Sequence, residues 1–249
     1  MIDIHSHILP GIDDGSQTME SSMELLMIAA DSGVTGIVAT PHCNIPDEYE
    51  NYAGAEMDRL WERFQKEADR SGVQIDLYRG MEVFATPELP ALLRDKRVWT
   101  LNDTSYFLTE FSFTEDPRFC RQVLYECLEA GFRPVIAHPE RYLFVQDDPQ
   151  IAFDWCVSGC ALQLNKGSLL GRFGREPYFT AGLLMEHGLA ACVASDAHSP
   201  YQRSTHMKEI RDMLLETAGE SYMRLLLEEN PRRILAGKDL LGYEPVSFI

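Results

Sequence analysis

Ile2 and Ile4 are interleaved with Asp3 and His5, the period-two pattern of a strand at the start of the chain. Thr18 can cap a helix whose apolar positions Met19, Met23, Leu26, Met27 and Ala30 keep helical spacing until Gly33 stops it. Gly36-Ile37-Val38-Ala39-Thr40 then reads as a short buried strand ending in Pro41-His42. A polar helix over 53–70, closed by Gly72, leads to a strand within 73–83 that ends on Gly80-Met81-Glu82. A short helix and a turn precede a strand at Tyr106–Glu110. An amphipathic helix follows over 117–130, with Phe119, Val123, Leu124 and Cys127 on one side, and then a strand over 134–138. Helix 151–158, strand Ala161–Asn165, helix 177–187 and strand 190–195 continue the alternation. Helices over 202–217 and 220–228 and a last turn from Asn230-Pro231 close the chain.

Regular strand–helix alternation with short connections calls for parallel strands and crossover helices. Seven such units close, or nearly close, a barrel, and barrels place their chemistry at the carboxyl ends of the strands. No repeat, low-complexity run or long linker marks a second unit, so one domain over 1–249 is expected, with 241–249 peripheral.

Polar residues fall at the carboxyl end of every expected strand. His5 and His7, two apart, point to one side of the first. Asp13 and Asp14 follow in a turn bounded by Gly11 and Gly15, which returns hard oxygen ligands to the same place. The next strands end in His42, Glu82, Glu110, His138, Asn165, and finally Asp196 with His198. Five of the seven histidines are used in this way. A lone His-x-His is more simply an edge strand with two ordinary histidines; repetition at the same end of each strand argues otherwise. Of the other two, His187 beside Gly188 reads as a cation at a helix C-terminus, and His206 is left without a role.

His5, His7, Asp14, His42, Glu82, Glu110, His138, Asp196 and His198 are too many ligands for one zinc and enough for two or three ions sharing carboxylates. Imidazole and carboxylate ligands without thiolates fit manganese, iron or zinc. Such a cluster activates water and neutralises charge on phosphoryl oxygens. Arg141 stands beside His138 in His-Pro-Glu-Arg, and Arg203 follows His198; both suit bidentate binding of phosphate. The competing reading pairs each arginine with a neighbouring carboxylate, Glu140 or Asp196.

A hydrophobic content of 45% in 249 residues supports one sizeable core. The net charge of −17 opposes binding to a nucleic-acid backbone. No signal peptide or membrane-length apolar run is evident, so a cytoplasmic protein with reduced thiols is expected. Cys156 and Cys160, four apart, are expected to pack from one helix. Cys127 and Arg133 match Cys-x5-Arg, the spacing of cysteine-dependent phosphatases. Cys127, however, follows Glu126 on an apolar helix face, which disfavours a thiolate and makes it structural.

The opening Asp-Ile-His-Ser-His-Ile-Leu-Pro-Gly-Ile-Asp-Asp-Gly, with Ala-Thr-Pro-His, Gly-Met-Glu, His-Pro-Glu-Arg and Ser-Asp-Ala-His, resembles the PHP (polymerase and histidinol phosphatase) superfamily. Within it the chain is most similar to the bacterial manganese-dependent protein tyrosine phosphatases of capsule and exopolysaccharide operons, the CpsB/YwqE type. The resemblance runs from Met1 to about Leu241. It implies an α/β fold, a distorted (β/α)7 TIM-like barrel holding three metals. By the family pattern His5, His7, Glu82 and Asp196 surround one ion. His42, Glu110 and His138 serve another, and Asp14 and His198 a third, with Glu82 bridging. Mn2+ is the implied ion, with iron or zinc as alternatives.

The resemblance also implies hydrolysis of phosphotyrosine on a bacterial tyrosine autokinase that controls polysaccharide synthesis. Arg141 and Arg203 would hold the phosphate, and Asp196 or His198 would lie nearest to supply a proton. Neither nucleic acid nor membrane insertion is implied. The competing enzyme is a phosphatase for a small phosphomonoester such as histidinol phosphate; a polymerase-linked exonuclease is opposed by the acidity. The competing non-enzyme is a metal-binding scaffold docked on a kinase. Amidohydrolases share the His-x-His opening but place a carboxylated lysine at the fourth strand, which here ends in Glu110.

Overall fold

Pro41 has no N–H to give to a β-ladder, and in the computed structural model, which describes residues 1–242 and 244–248, a strand breaks there. The elements run β1 (Ile2–Ser6), α1 (Met19–Asp31), β2 (Gly36–Ala39), β3 (His42–Cys43), α2 (Ala55–Ser71), β4 (Asp76–Arg79), β5 (Glu82–Phe84) and α3 (Leu89–Arg94). Next come β6 (Tyr106–Glu110), α4 (Pro117–Glu129), β7 (Arg133–Ala137), α5 (Leu143–Asp147), α6 (Gln150–Val157), β8 (Ala161–Asn165) and α7 (Lys166–Leu169). Last are α8 (Arg175–Glu186), β9 (Ala190–Ala194), α9 (Lys208–Ala218), α10 (Glu220–Arg224) and α11 (Asn230–Leu235).

The strands expected over 36–40 and within 73–83 are therefore each two. β1, β2 and β4 form one sheet, and β3, β5, β6, β7, β8 and β9 the other. Every strand pairing is parallel. Both broken strands bend together: Ala39 pairs with Arg79 before the break, and His42 pairs with Glu82 after it. The seam between β9 and β1 is closed by a bridge from Ser6 to Ala197. The His7 amide donates to the Ala197 carbonyl at 2.8 Å, and the Asp196 amide to that of His5 at 2.9 Å. With each bent strand counted once, the ring is a distorted (β/α)7 barrel.

Local chemistry sets the helix ends. The Thr18 hydroxyl accepts from the Ser21 amide at 3.2 Å at the start of α1, and Asp116 caps α4 through the Arg118 amide at 2.9 Å. The helix expected over 202–217 begins only at Lys208. The Arg203 carbonyl accepts instead from the His198 amide at 2.7 Å, and the buried Lys166 ammonium donates to the carbonyls of Ser204 and His206. Carbonyls turned to those partners cannot start a helix, and the segment becomes a loop over the barrel. The helix expected over 220–228 continues through a π turn at Leu225–Glu229 into α11, where Pro231 cannot donate to the carbonyl of Leu227. α5 was not anticipated, and Cys160 lies beyond the end of α6, so it does not share a helix with Cys156; both are buried.

A large core joins Leu25, Phe64, Phe107, Ile136, Leu162 and Leu214 between strands and helices. A smaller one joins Leu108, Val135, Ala137 and Ala194 with Ile234 and Leu235 of α11. The tail expected to be peripheral is tied down where described. The Val246 amide donates to the His187 carbonyl at 2.9 Å, and the Phe248 ring stacks 3.8 Å from that of His187. Tyr243 and Ile249 lie outside the described residues. Among those described, no helix is long and apolar enough to cross a membrane.

Candidate metal centre

The tautomers of His5 and His7 are fixed from behind. Gln163 turns its amide nitrogen to the Leu164 carbonyl at 2.8 Å, which leaves its oxygen to accept from His5 Nδ1 at 2.7 Å. Asp13 accepts from His7 Nδ1 at 2.8 Å. Both Nε2 atoms therefore carry lone pairs, and they face one another at 3.3 Å. Glu82 Oε2 lies 3.2 Å from each, and Asp196 Oδ1 3.5 Å from each. Four electron-rich atoms, on side chains no more than 2% exposed, converge on one point. Only a cation makes such a cluster tolerable away from water.

The neighbouring groups repeat the pattern. Glu82 Oε1 is 2.9 Å from His138 Nε2, and its Oε2 is 3.1 Å from His42 Nδ1. Glu110 stands 3.0 Å from the same His42 nitrogen and 3.9 Å from His138. On the outer side Asp14 Oδ1 lies 3.5 Å from His42 Nε2 and 3.4 Å from His198 Nε2, whose Nδ1 donates to the Asp196 carbonyl at 3.1 Å. Among the described residues, His42 Nδ1, Glu82 Oε2 and His138 Nδ1 are buried without a hydrogen-bond partner. Unpartnered polar atoms at these positions, with four carboxylates among five imidazoles, fit divalent ions. The field of the carboxylates is strong: burial opposes charge on His42, yet Glu82 and Glu110 push it up to about 9. The hydrogen bond to His198 holds Asp14 down to about 2.

All nine residues singled out in the sequence meet here, in four overlapping groups. The division differs from the expected one at His138, which groups with His5 and Glu82, at His7, which also joins Asp14 and His198, and at His42. His42 Nδ1 faces Glu82 and Glu110, whereas its Nε2 joins Asp14 and His198, so it belongs to two groups. The centre is sealed at one end and open at the other: the Glu82 side chain is 1% exposed and that of Asp14 52%. His138 and Asp196 hold positive φ values of 35° and 50°, an uncommon backbone for side chains of this kind, where the chain leaves the barrel.

The turn that carries the aspartates folds directly onto His7. A β-carbon on Gly15 would stand 2.3 Å from the His7 Cβ and carbonyl oxygen, so only glycine fits. The Gly15 and His42 amides donate to Asp13 at 3.0 and 3.1 Å, which leaves Asp13 fully engaged as the support of His7. Asp13 and Gln163 were absent from the expected ligand set. Asp13→Asn keeps the shape and loses the acceptor charge; metal affinity, followed by competition with a chelating dye, falls roughly 10–100-fold. An unchanged affinity would remove Asp13 from this role.

Asp196 has two faces. While Oδ1 points at the histidines, Oδ2 accepts from Asn165 Nδ2 at 2.5 Å, Arg203 Nη2 at 2.5 Å and Arg141 Nη1 at 3.5 Å. Burial opposes its charge, but His5, His7 and Arg203 hold the carboxyl well below its usual range. The pairing of arginines with a carboxylate is thus present, through Asp196 and not Glu140, which accepts from the Asn165 amide at 2.9 Å. Their side chains remain 21% and 30% exposed, leaving N–H groups for a ligand. Aromatic rings border the centre: Tyr49 stacks on His42 at 5.5 Å, and Phe113 lies 6.2 Å from His138.

Residues outside the centre follow the sequence reading. His206 is exposed and belongs to no ligand group, and His187 ends α8. Cys127 is fully buried, and burial, with Glu126 adding, pushes its thiol up to about 12. Arg133 is engaged by Tyr106 at 3.2 Å and Asp239 at 2.8 Å, so Cys-x5-Arg forms no phosphate loop.

The family described as "Capsular polysaccharide synthesis, CpsB/CapC" matches residues 1–236. Tyrosine-protein phosphatase YwqE of Bacillus subtilis (strain 168) is 34% identical over 98% of this chain and 95% of its own length. Tyrosine-protein phosphatase CpsB of Streptococcus pneumoniae is 31% identical over 94% of this chain and 98% of its own. A chain from the crystal structures of these two proteins, described there as unique metal-dependent tyrosine phosphatases, superimposes with a TM-score of 0.91. It is 32% identical, and the match covers 99% of this chain and 100% of that one. Histidinol phosphate phosphatase from Lactococcus lactis, with a TM-score of 0.56 at 12% identity over 88% of this chain and 95% of its own, shares the fold. From its first strand to its last helix, the chain belongs to the CpsB/CapC family of capsular polysaccharide synthesis.

Proposed function

We propose that this protein is a metal-dependent protein tyrosine phosphatase acting on a bacterial tyrosine autokinase that regulates capsule or exopolysaccharide synthesis. The observation that carries the reading is Asp196. One of its oxygens faces the metal cluster and the other holds two arginines, so phosphate on those arginines lies beside the cluster. His5, His7, Asp14, His42, Glu82, Glu110, His138, Asp196 and His198 would hold two or three ions, Mn2+ first. The ions, when bound, supply Lewis-acid activation of water and neutralise charge on phosphorus. Arg141 and Arg203 orient the non-bridging oxygens through planar, bidentate hydrogen bonds. Phenolate leaves with little help because tyrosine is acidic for an alcohol, with a pKa near ~10. Of the two groups expected to supply a proton, Asp196 is held ionised by the histidines and Arg203, which leaves His198. Buried thiols at Cys43, Cys120, Cys127 and Cys192 suit the reducing cytoplasm.

The test is phosphate release by metal-stripped protein, with Mn2+ restored, from a phosphotyrosine peptide and from histidinol phosphate in parallel. A strong preference for the peptide, lost again with a chelator, is expected. Preference for histidinol phosphate would move the protein to small-molecule chemistry. Cys127→Ser and treatment with iodoacetamide leave the rate unchanged; activity that survives chelation but not alkylation would overturn the metal mechanism.

A further inference from the structure

Two arginines rest on one ring. The Arg141 guanidinium carbon lies 4.8 Å from the centroid of Phe113 and 4.8 Å from that of Phe173, so it rests against both rings. That of Arg203 lies 5.5 Å from Phe173. Asp196 Oδ2 meets one nitrogen of each guanidinium, and a single contact of that kind does not set the plane of the group. A ring face carries the negative lobe of the aromatic quadrupole and fixes the plane of a cation stacked on it. It also eases the placing of two positive groups together.

Phe173, between α7 and α8, is seated for this contact. A β-carbon on Gly167 would fall 2.6 and 2.8 Å from its Cε2 and Cζ, so the ring occupies the space a side chain there would need. The neighbouring Asn165 donates to Asp196, and its own oxygen accepts from the Gly167 amide at 2.9 Å. One short segment thus fixes both the carboxylate and the ring against which the arginines lie.

We propose that Phe173, seated on Gly167, is the positioning residue that sets Arg141 and Arg203 side by side for a phosphate group, with Phe113 as a second ring against Arg141. The proposal rests on the assignment of phosphate to these arginines made above.

The test uses the full chain loaded with Mn2+ and inorganic phosphate as the probe, followed by isothermal titration calorimetry. Phe173→Leu weakens phosphate binding about five- to tenfold. It raises KM for a phosphotyrosine peptide by a similar factor, leaves kcat within about twofold, and leaves metal content unchanged. Phe173→Tyr restores affinity, and Gly167→Ala, which must displace the ring, weakens binding in the same direction. Unchanged phosphate affinity in Phe173→Leu, a loss accompanied by loss of metal, or failure of tyrosine to rescue would each overturn the proposal. The calorimetric result is independent of the substrate: wild-type protein that binds phosphate yet ignores phosphotyrosine would defeat the tyrosine phosphatase reading and leave the clamp intact.

Discussion

Glu82→Gln empties the metal centre and brings phosphotyrosine turnover to background. Glu82 is the side chain that His5, His7, His42 and His138 all approach, at 3.2, 3.2, 3.1 and 2.9 Å. Glutamine keeps the volume, so the barrel still folds, but it removes the negative charge and one oxygen donor from a fully buried position. The expected loss of metal affinity exceeds the roughly 10–100-fold typical of residues that merely orient ligands. Metal content after dialysis, read with the turnover rate and the circular dichroism spectrum, checks this. A folded variant that retains its metal would show that Glu82 is not the bridge.

Arg141→Lys lowers kcat/KM about 10²–10³-fold while metal content stays at the wild-type level. Lysine conserves the charge but lacks the planar fork that can meet two phosphoryl oxygens at once, and it cannot stack flat on the rings of Phe113 and Phe173. Steady-state kinetics on a phosphotyrosine peptide, with metal analysis of the same sample, decide the matter. A lysine variant within a fewfold of wild type would reduce Arg141 to a point charge. Arg203→Lys provides the comparison, because among the described residues Arg203 lies over one ring, Phe173, where Arg141 lies over two.

The ligand residues were readable one strand at a time. His5, Glu110 and His138 stand at or just beyond the carboxyl ends of β1, β6 and β7, while His42 and Glu82 open β3 and β5, the outer halves of the two bent strands; parallel strands carry all five to one rim. The strand breaks were not readable at that level. Pro41 is visible, but the matching bend after Arg79 exists only because β4 and β5 must stay abreast of β2 and β3. The late start of α9 was hidden for a similar reason. The sequence from 202 onwards has helical periodicity, and a buried lysine some forty residues earlier takes the carbonyls that a helix would need.

The supports behind the ligands had a signal that pattern alone could not interpret. Gln163 is a polar residue between Leu162 and Leu164 on a fully buried strand, a placement that requires a partner. That partner, His5, is 158 positions away. Phe173 looked like ordinary loop content, and its contact with two arginines needed the folded chain. The ligand residues and the rim on which they emerge follow from local pattern, because strand periodicity is local and regular strand–helix alternation leaves parallel strands as the way to pair them. The tautomers of His5 and His7, the two-sided use of His42 and Asp196, and the stacking that orients the arginines depend on distances between remote segments, which packing alone sets.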